Sequence, residues 1–309
     1  MTGIKIISTA KALPKNPVTN DDLARIVDTS DEWIQKRTGM KVRYHVDKDT
    51  GLTDLCAKAG KEALEASGLN KDDIGVVVVA TLSADYYCPS TACLLQERLG
   101  LKNNIIAIDV NAACSGFIFG LETMRGLLLS TGARAGLLIG GEVLSRKLDM
   151  NDRGTCVLFG DGAAAAVVGL SDKLYSSITG VQSDEAMIHC RVPDGYISMD
   201  GQGTYKFAVA TVPGLIRHAV EKANLTLDEI DHFILHQANL RIIESIASKL
   251  NQPMDKFFVN IEKYGNTSAA SVGLALDDAN KAGLLKENEK VLICAFGAGR
   301  TYGATIIEW

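Results

Sequence analysis

Along this chain, short runs of apolar residues alternate with longer stretches whose apolar positions recur at helical spacing. The runs cover residues 74–81, 105–110, 135–140, 163–168, 233–235 and 291–295. They belong to strands covered on both faces, as in α/β proteins whose helices pack on either side of a sheet. Residues 117–129 and 240–250 read as helices packed on those strands. A further helix is predicted to begin at Thr29-Ser30-Asp31-Glu32, ahead of Trp33-Ile34, because hydroxyl and acidic side chains suit a helix start. From 172 to 203, Ser, Asp and Gly break the periodicity. That stretch is predicted to be an irregular crossover between two halves instead of a flexible linker.

The pattern repeats. Residues 69–77 align with residues 225–233 at a constant offset of 156, each passing through an acidic turn into an apolar run. Residues 136–141 align with 290–295 at an offset of 154, and Cys114 falls opposite Asn266-Thr267-Ser268. Two ordered matches of similar offset predict a duplicated unit, divided into residues 1–171 and 172–309. In a two-fold arrangement the strand ends of both halves meet at one cleft.

Composition narrows the class. The 309 residues are 47% hydrophobic, enough for a sizeable core. A formal charge of −5 argues against a general nucleic-acid binder, and no block of like charge marks a disordered tail. No run of apolar residues is long enough to span a membrane. The start, Met1-Thr2-Gly3-Ile4-Lys5, lacks the apolar core of a signal peptide. The seven cysteines are scattered without a Cys-x-x-Cys pair, which predicts a reduced cytoplasmic thiol set and neither disulfides nor a zinc site.

Three places could carry chemistry. Cys114 lies in Asn111-Ala112-Ala113-Cys114-Ser115-Gly116-Phe117, between a strand-like run and a helix. The positive end of that helix is expected to lower the thiol pKa below its ordinary value of about 8.5, although a small apolar cysteine packed at a strand end is the other reading. His236, in His236-Gln237-Ala238-Asn239, closes an apolar run above a helix start, which favours a neutral, donating imidazole; it could equally be a core histidine satisfied by backbone. Asn266 stands just ahead of another helix, as a site residue or an N-cap. The glycine-rich stretch from Cys294 to Gly303 could bring backbone N–H groups to a ligand oxygen, or form a hairpin bend.

Taken together, Ala113-Cys114-Ser115-Gly116, His236-Gln237-Ala238-Asn239 and Gly265-Asn266-Thr267-Ser268-Ala269 resemble the Cys-His-Asn triad of the β-ketoacyl-acyl-carrier-protein synthase III family. Thr29-Ser30-Asp31-Glu32-Trp33-Ile34, Asp152-Arg153-Gly154-Thr155 and Phe159-Gly160-Asp161-Gly162-Ala163 resemble its signatures as well, so the likeness spans nearly the full chain. The resemblance implies a thiolase-like α/β fold, five-layered αβαβα with two mixed sheets. It implies the initiating reaction of type II fatty acid synthesis, a decarboxylative Claisen condensation of an acyl-coenzyme A primer with malonyl-acyl carrier protein. Cys114 would carry the acyl group, His236 and Asn266 would hydrogen-bond the enolate, and Gly297, Ala298 and Gly299 would form the loop of the oxyanion hole. Trp33 would stack on the adenine of coenzyme A with Arg153 on its other side, Arg37 would contact the phosphates and Asn239 the pantetheine arm. Arg241 and Lys249 would meet the acidic carrier protein. Phe296 and Cys88 would border the acyl pocket, Cys88 by crossing the interface of a homodimer. No metal or redox cofactor is implied; the coenzyme A thioester is a substrate.

The chain departs from the family in places. Its C-terminal loop reads Phe296-Gly297-Ala298-Gly299-Arg300-Thr301-Tyr302, where the family has Phe-Gly-Gly-Gly, an apolar residue, Thr and Trp. Cys88 stands where the family commonly has Phe. Competing readings are a condensing or acyl-transfer enzyme of secondary metabolism, a cysteine hydrolase using Cys114 and His236, and a scaffold of the same fold. The smaller side chain at Cys88 leaves room in the acyl pocket, so turnover is expected to extend to four- and five-carbon or branched acyl-coenzyme A. A primer panel with acetyl-coenzyme A as reference checks this, and activity on acetyl alone would reject it.

Overall fold

The computed structural model describes residues 2–193 and 195–309. The apolar runs form the centres of two mixed sheets. In the first, the strands lie in the order Gly3–Ala12, Gly162–Ser171, Ala135–Glu142, Ile74–Ala80, Ile106–Val110. The last three are parallel and the first two join antiparallel. In the second, the order is His232–Leu235, Lys290–Gly297, Thr301–Glu308, Tyr175–Val181, with the first pair parallel and the others antiparallel.

Strand for strand, the second sheet repeats four of the five strands of the first. Val76 pairs with Gly136 just as His232 pairs with Val291, so the matched strands are displaced by 156 and 155 residues. The offset of 154 expected for the later strand is therefore one residue short. A one-residue slip would exchange the two faces of the strand, and the alternation of its buried side chains between two different cores fixes the register.

Helices fill three layers around the sheets. On the outer face of the first sheet, Leu55, Ala59 and Leu95 from the helices Leu52–Ser67 and Thr91–Leu99 pack on Val77, Val79, Leu137 and Ile139. Between the sheets, Phe117, Leu121 and Met124 of Gly116–Thr131 join Val272 and Leu276 of Ala270–Lys281, touching Val76 and Val78 on one side and Ile234 and Ile293 on the other. On the outer face of the second sheet, Val212 and Ile216 of Gly201–Lys222 pack with Ile243 and Ile246 of Leu240–Leu250 over Phe233 and Leu292. The result is five layers, α/β/α/β/α. Every residue of Ile74–Ala80 is buried because helices cover both of its faces.

The stretch 172–203 is more regular than expected. Tyr175–Val181 is an edge strand of the second sheet, and Ile188–Cys190 pairs with Ile197–Met199 as a small ribbon. Its Ser, Thr and Gly reflect an edge position, where one long side faces no further strand.

The two central helices begin alike. Ala113 and Ser268, matching positions just ahead of Gly116–Thr131 and Ala270–Lys281, share a φ of 47°, a left-handed conformation that non-glycine residues adopt only under local constraint. Their starts also touch: a Cβ on Gly116 would lie 3.1 Å from Ala269 Cβ, and one on Gly140 would lie 2.3 Å from the Ala269 carbonyl oxygen. Gly140→Ala therefore forces a backbone shift at the join, with an expected loss of about 1–3 kcal/mol in denaturant unfolding. Gly126→Ala, in a helix position with open space, should be neutral or slightly stabilising and serves as the comparison.

Candidate active site

Cys114 follows the strand Ile106–Val110 through a tight turn. The Asn111 Oδ1 accepts the Ala113 N–H at 3.2 Å, the left-handed Ala113 reverses the chain, and Cys114 sits in the short 3-10 turn that leads into the central helix. The Ser115 hydroxyl lies 2.7 Å from that of Thr301, tying this turn to the C-terminal loop. Gly297 of that loop presses on the Cys114 turn so closely that a Cβ there would stand 2.7 Å from the Cys114 nitrogen. Only glycine fits.

His236 extends the strand His232–Leu235, its N–H donating to the Cys294 carbonyl at 2.8 Å. Its ring meets Phe296 edge-on, with centroids 5.4 Å apart. The Ser271 hydroxyl stands 2.6 Å from Nδ1. Donation from that hydroxyl to Nδ1 is the arrangement that leaves the imidazole proton on Nε2. Gln237 is structural: its amide donates to the Leu235 carbonyl and accepts the Asn260 N–H. Asn239 caps the helix Leu240–Leu250 through the Arg241 N–H and donates to the Arg37 carbonyl.

Asn266 is fixed by backbone on both sides, its N–H donating to the Leu158 carbonyl and its carbonyl accepting the Gly160 N–H. It does not cap the helix. Its Oδ1 accepts the Ser268 N–H at 2.9 Å, which turns the Nδ2 donor toward the cavity.

These three side chains line one cavity of about 210 Å³. Phe296, Gly297, Ala298, Ser268 and Asn239 share its wall, and Met187, Ile188 and Met199 supply an apolar side. Gly299 does not reach it: a φ of 70° turns the chain away toward the strand Thr301–Glu308, so of the three loop residues expected at the site only Gly297 and Ala298 line the cavity. Ala298 lies outside the left-handed region, where its methyl group costs nothing. Arg300 pairs with Asp184 at 2.6 Å, so the cation in this loop is neutralised.

At the cavity's edge, Gly154 lines the wall and the neighbouring Arg153 stacks on Trp33, guanidinium to ring centroid 4.9 Å; Arg37 stands 5.6 Å from the same ring. Arg241 lies over Tyr205, a lining residue, at 5.8 Å. Lys249 is further along the helix, its ammonium donating to the Val209 carbonyl. Cys88 is exposed beside exposed Tyr86 and Tyr87 and does not line the cavity of its own chain.

Burial dominates the electrostatics. It pushes the Cys114 thiol up to about 12, with the Ser268 hydroxyl opposing and the Glu142 carboxylate adding to the rise. This overturns the expected acidic thiol, because removing a thiolate from water outweighs what one helix end returns. Burial likewise lowers His236 to about 3, keeping the imidazole neutral. The sequence reading missed Ser271, Ser268 and Glu142. A lone acid closing the apolar run before Val143 was the available signal for Glu142. Among the described residues no cluster of His, Cys, Asp or Glu is arranged to hold a metal, and no helix is long and apolar enough to cross a membrane.

Residues 108–184 match the family described as 3-oxoacyl-[acyl-carrier-protein (ACP)] synthase III, and residues 220–309 match its C-terminal counterpart. The chain is 41% identical over 325 residues to the β-ketoacyl-[acyl-carrier-protein] synthase III of Clostridium acetobutylicum, covering 100% of this chain and 99% of that one. The chain belongs to the β-ketoacyl-[acyl-carrier-protein] synthase III family.

Among solved structures of the family, 3-oxoacyl-[acyl-carrier-protein] synthase III from Aquifex aeolicus VF5 superposes with a TM-score of 0.95 at 43% identity, over 99% of this chain and 100% of that chain. The priming β-ketosynthase from the R1128 polyketide biosynthetic pathway superposes with a TM-score of 0.94 at 31% identity, over 99% of this chain and 96% of that chain. The five-layered architecture of this synthase III family member is thus the thiolase-like fold.

The neutral His236 has a stability signature. Below its ordinary value of 6.5 the unfolded chain takes up a proton that the native imidazole refuses until about pH 3, so its contribution falls as pH drops through that window. Imidazole NMR should show His236 neutral and untitrated at pH 5. A His236 resonance titrating near 6.5 would contradict the burial argument.

Proposed function

We propose that this chain catalyses the initiating condensation of fatty acid synthesis, joining an acyl-coenzyme A primer to malonyl-acyl carrier protein with loss of CO2. The observation that carries the reading is the convergence of Cys114, His236 and Asn266 on one cavity. Cys114 attacks the acyl thioester and coenzyme A leaves as the thiol, giving an acyl-enzyme. Malonyl-acyl carrier protein then enters and loses CO2. Its enolate oxygen accepts hydrogen bonds from His236 Nε2–H and Asn266 Nδ2–H, two neutral donors fixed by Ser271 and by the Ser268 N–H. The carbanion attacks the Cys114 thioester, and backbone N–H groups at Cys114 and the Gly297 to Ala298 turn hold the developing oxyanion. Decarboxylation itself makes the nucleophile, so no base removes a carbon-bound proton.

Coenzyme A binds with its adenine stacked on Trp33 and Arg153 on its other side, Arg37 contacts its phosphates, and its pantetheine arm passes Asn239 to the sulfur. The carrier protein docks near Arg241, which borders the cavity, with Lys249 further out. Two copies of the chain associate, and the exposed segment 86–88 brings Cys88 to the partner's acyl pocket. The halves 1–171 and 172–309 each supply one side of the site. The chain works in the cytoplasm, which suits seven unpaired thiols. No metal or redox group enters the scheme.

Incubation with an acyl-coenzyme A panel followed by peptide mass spectrometry is expected to place the acyl group on Cys114 and nowhere on Cys114→Ala. Asn266→Ala should slow CO2 release from malonyl-acyl carrier protein by about 10²–10³-fold while sparing acylation. Acyl-coenzyme A hydrolysis without C–C bond formation would favour a hydrolase. Use of a dedicated polyketide carrier protein would favour the priming role of the R1128 neighbour.

A further inference from the structure

A buried carboxylate stands behind the nucleophile with no part in the scheme above. Glu142 ends the strand Ala135–Glu142 at zero exposure. Its Oε2 is saturated by the hydroxyls of Ser83 at 2.5 Å and Thr81 at 3.2 Å and by the Leu82 N–H at 3.2 Å. Its Oε1 has no partner among the described residues, and neither has the Ser268 hydroxyl. Ser268 lines the same cavity as Cys114, its neighbour Ala269 packs against Gly140 two residues ahead of Glu142, and its hydroxyl favours the charged forms of both the thiol and the carboxyl. Ser268 also occupies the left-handed position that mirrors Ala113, so backbone strain is spent holding it beside the sulfur.

The thiol needs a proton acceptor, and in the scheme above His236 donates through Nε2–H and Asn266 is an amide, so neither serves. We propose that Glu142 takes the Cys114 proton through the Ser268 hydroxyl during acyl transfer and returns it after condensation. This deepens the acyl-enzyme reading above and rests on it. As Cys114 Sγ bonds to the acyl carbon, its proton passes to Ser268 Oγ while the Ser268 proton passes to Glu142 Oε1. Coenzyme A leaves as the thiol, its sulfur taking a proton from solvent. When condensation expels the Cys114 thiolate, the same two transfers run backward and restore thiol and carboxylate. Ser268 is the group that exchanges a proton with the reacting sulfur; Glu142 acts through it as a positioning residue.

The carboxyl is poised for such exchange. Burial raises it to about 7, against the lowering pull of Ser83, the Leu82 N–H, Ser268 and Thr81. The titratable groups facing it are the thiols of Cys114 and of Cys56 from the helix Leu52–Ser67, both pushed up by burial. Asp85 and Asp109 also act on Cys56, and no cation is among the groups acting on Glu142.

Alkylation of the full-length protein by iodoacetamide, read at the Cys114 peptide by mass spectrometry, tests the relay without relying on substrate. Wild-type labelling should rise with pH through an inflection near 7. Glu142→Gln and Ser268→Ala should each slow labelling about a hundredfold at neutral pH and abolish that inflection, while Glu142→Asp should keep it. If Glu142 were only a nearby negative charge, neutralising it would ease thiolate formation. Labelling of Glu142→Gln as fast as wild type, or faster, therefore overturns the proposal. Should Glu142→Gln fail to fold by circular dichroism, Ser268→Ala decides alone. Slowed labelling in variants of a wild type that no acyl-coenzyme A acylates would leave the relay standing and remove the acyl-enzyme reading instead.

Discussion

The backbone of the second half approaches the first at three glycines, and the site exists because nothing intervenes there. Gly116 and Gly140 admit Ala269, and Gly297 admits the backbone of Cys114, at Gly140 and Gly297 so closely that a methyl group would collide. These approaches bring two helix starts, belonging to different sheets, to one point. The sulfur from one half and the imidazole and carboxamide from the other then share a cavity that neither half encloses alone.

Such closeness has an electrostatic consequence. A site formed at the join of two packed sheets is dry, and a dry site penalises every charged form. The thiol rises, the imidazole falls, and the carboxyl of Glu142 moves toward neutrality. The site therefore holds neutral polar groups at fixed angles, the imidazole bonded to the Ser271 hydroxyl and the carboxamide to the Ser268 N–H. Preorganised dipoles in a water-poor cavity stabilise developing charge without having to reorient.

Much of this was legible in the sequence. All six apolar runs became strands, and the helices at 117–129 and 240–250 appear within two residues of their expected limits, because strands and helices covered on several sides leave unmistakable periodicity. Tyr175–Val181 escaped because an edge strand tolerates polar residues. The thiol acidity was misjudged because a linear motif shows the helix start but not the enclosure around the sulfur. Gly299 was grouped with its neighbours because three small residues in a row do not reveal which one turns away. Ser271 and Glu142 stayed hidden because their partners lie 35 residues or more away in the chain.

One departure of the C-terminal loop reaches further than its position suggests. Arg300 holds a left-handed φ of 46° that would favour glycine, and its guanidinium is pinned by Asp184 and packed on Phe207. Asp184 at the same time accepts the N–H groups of Ala186 and Met187, where the chain enters the apolar wall of the cavity. The loop beside Cys114 and the wall at Met187 and Ile188 are thus tied through one carboxylate. A shift of either is therefore passed to the other through the Arg300–Asp184 pair.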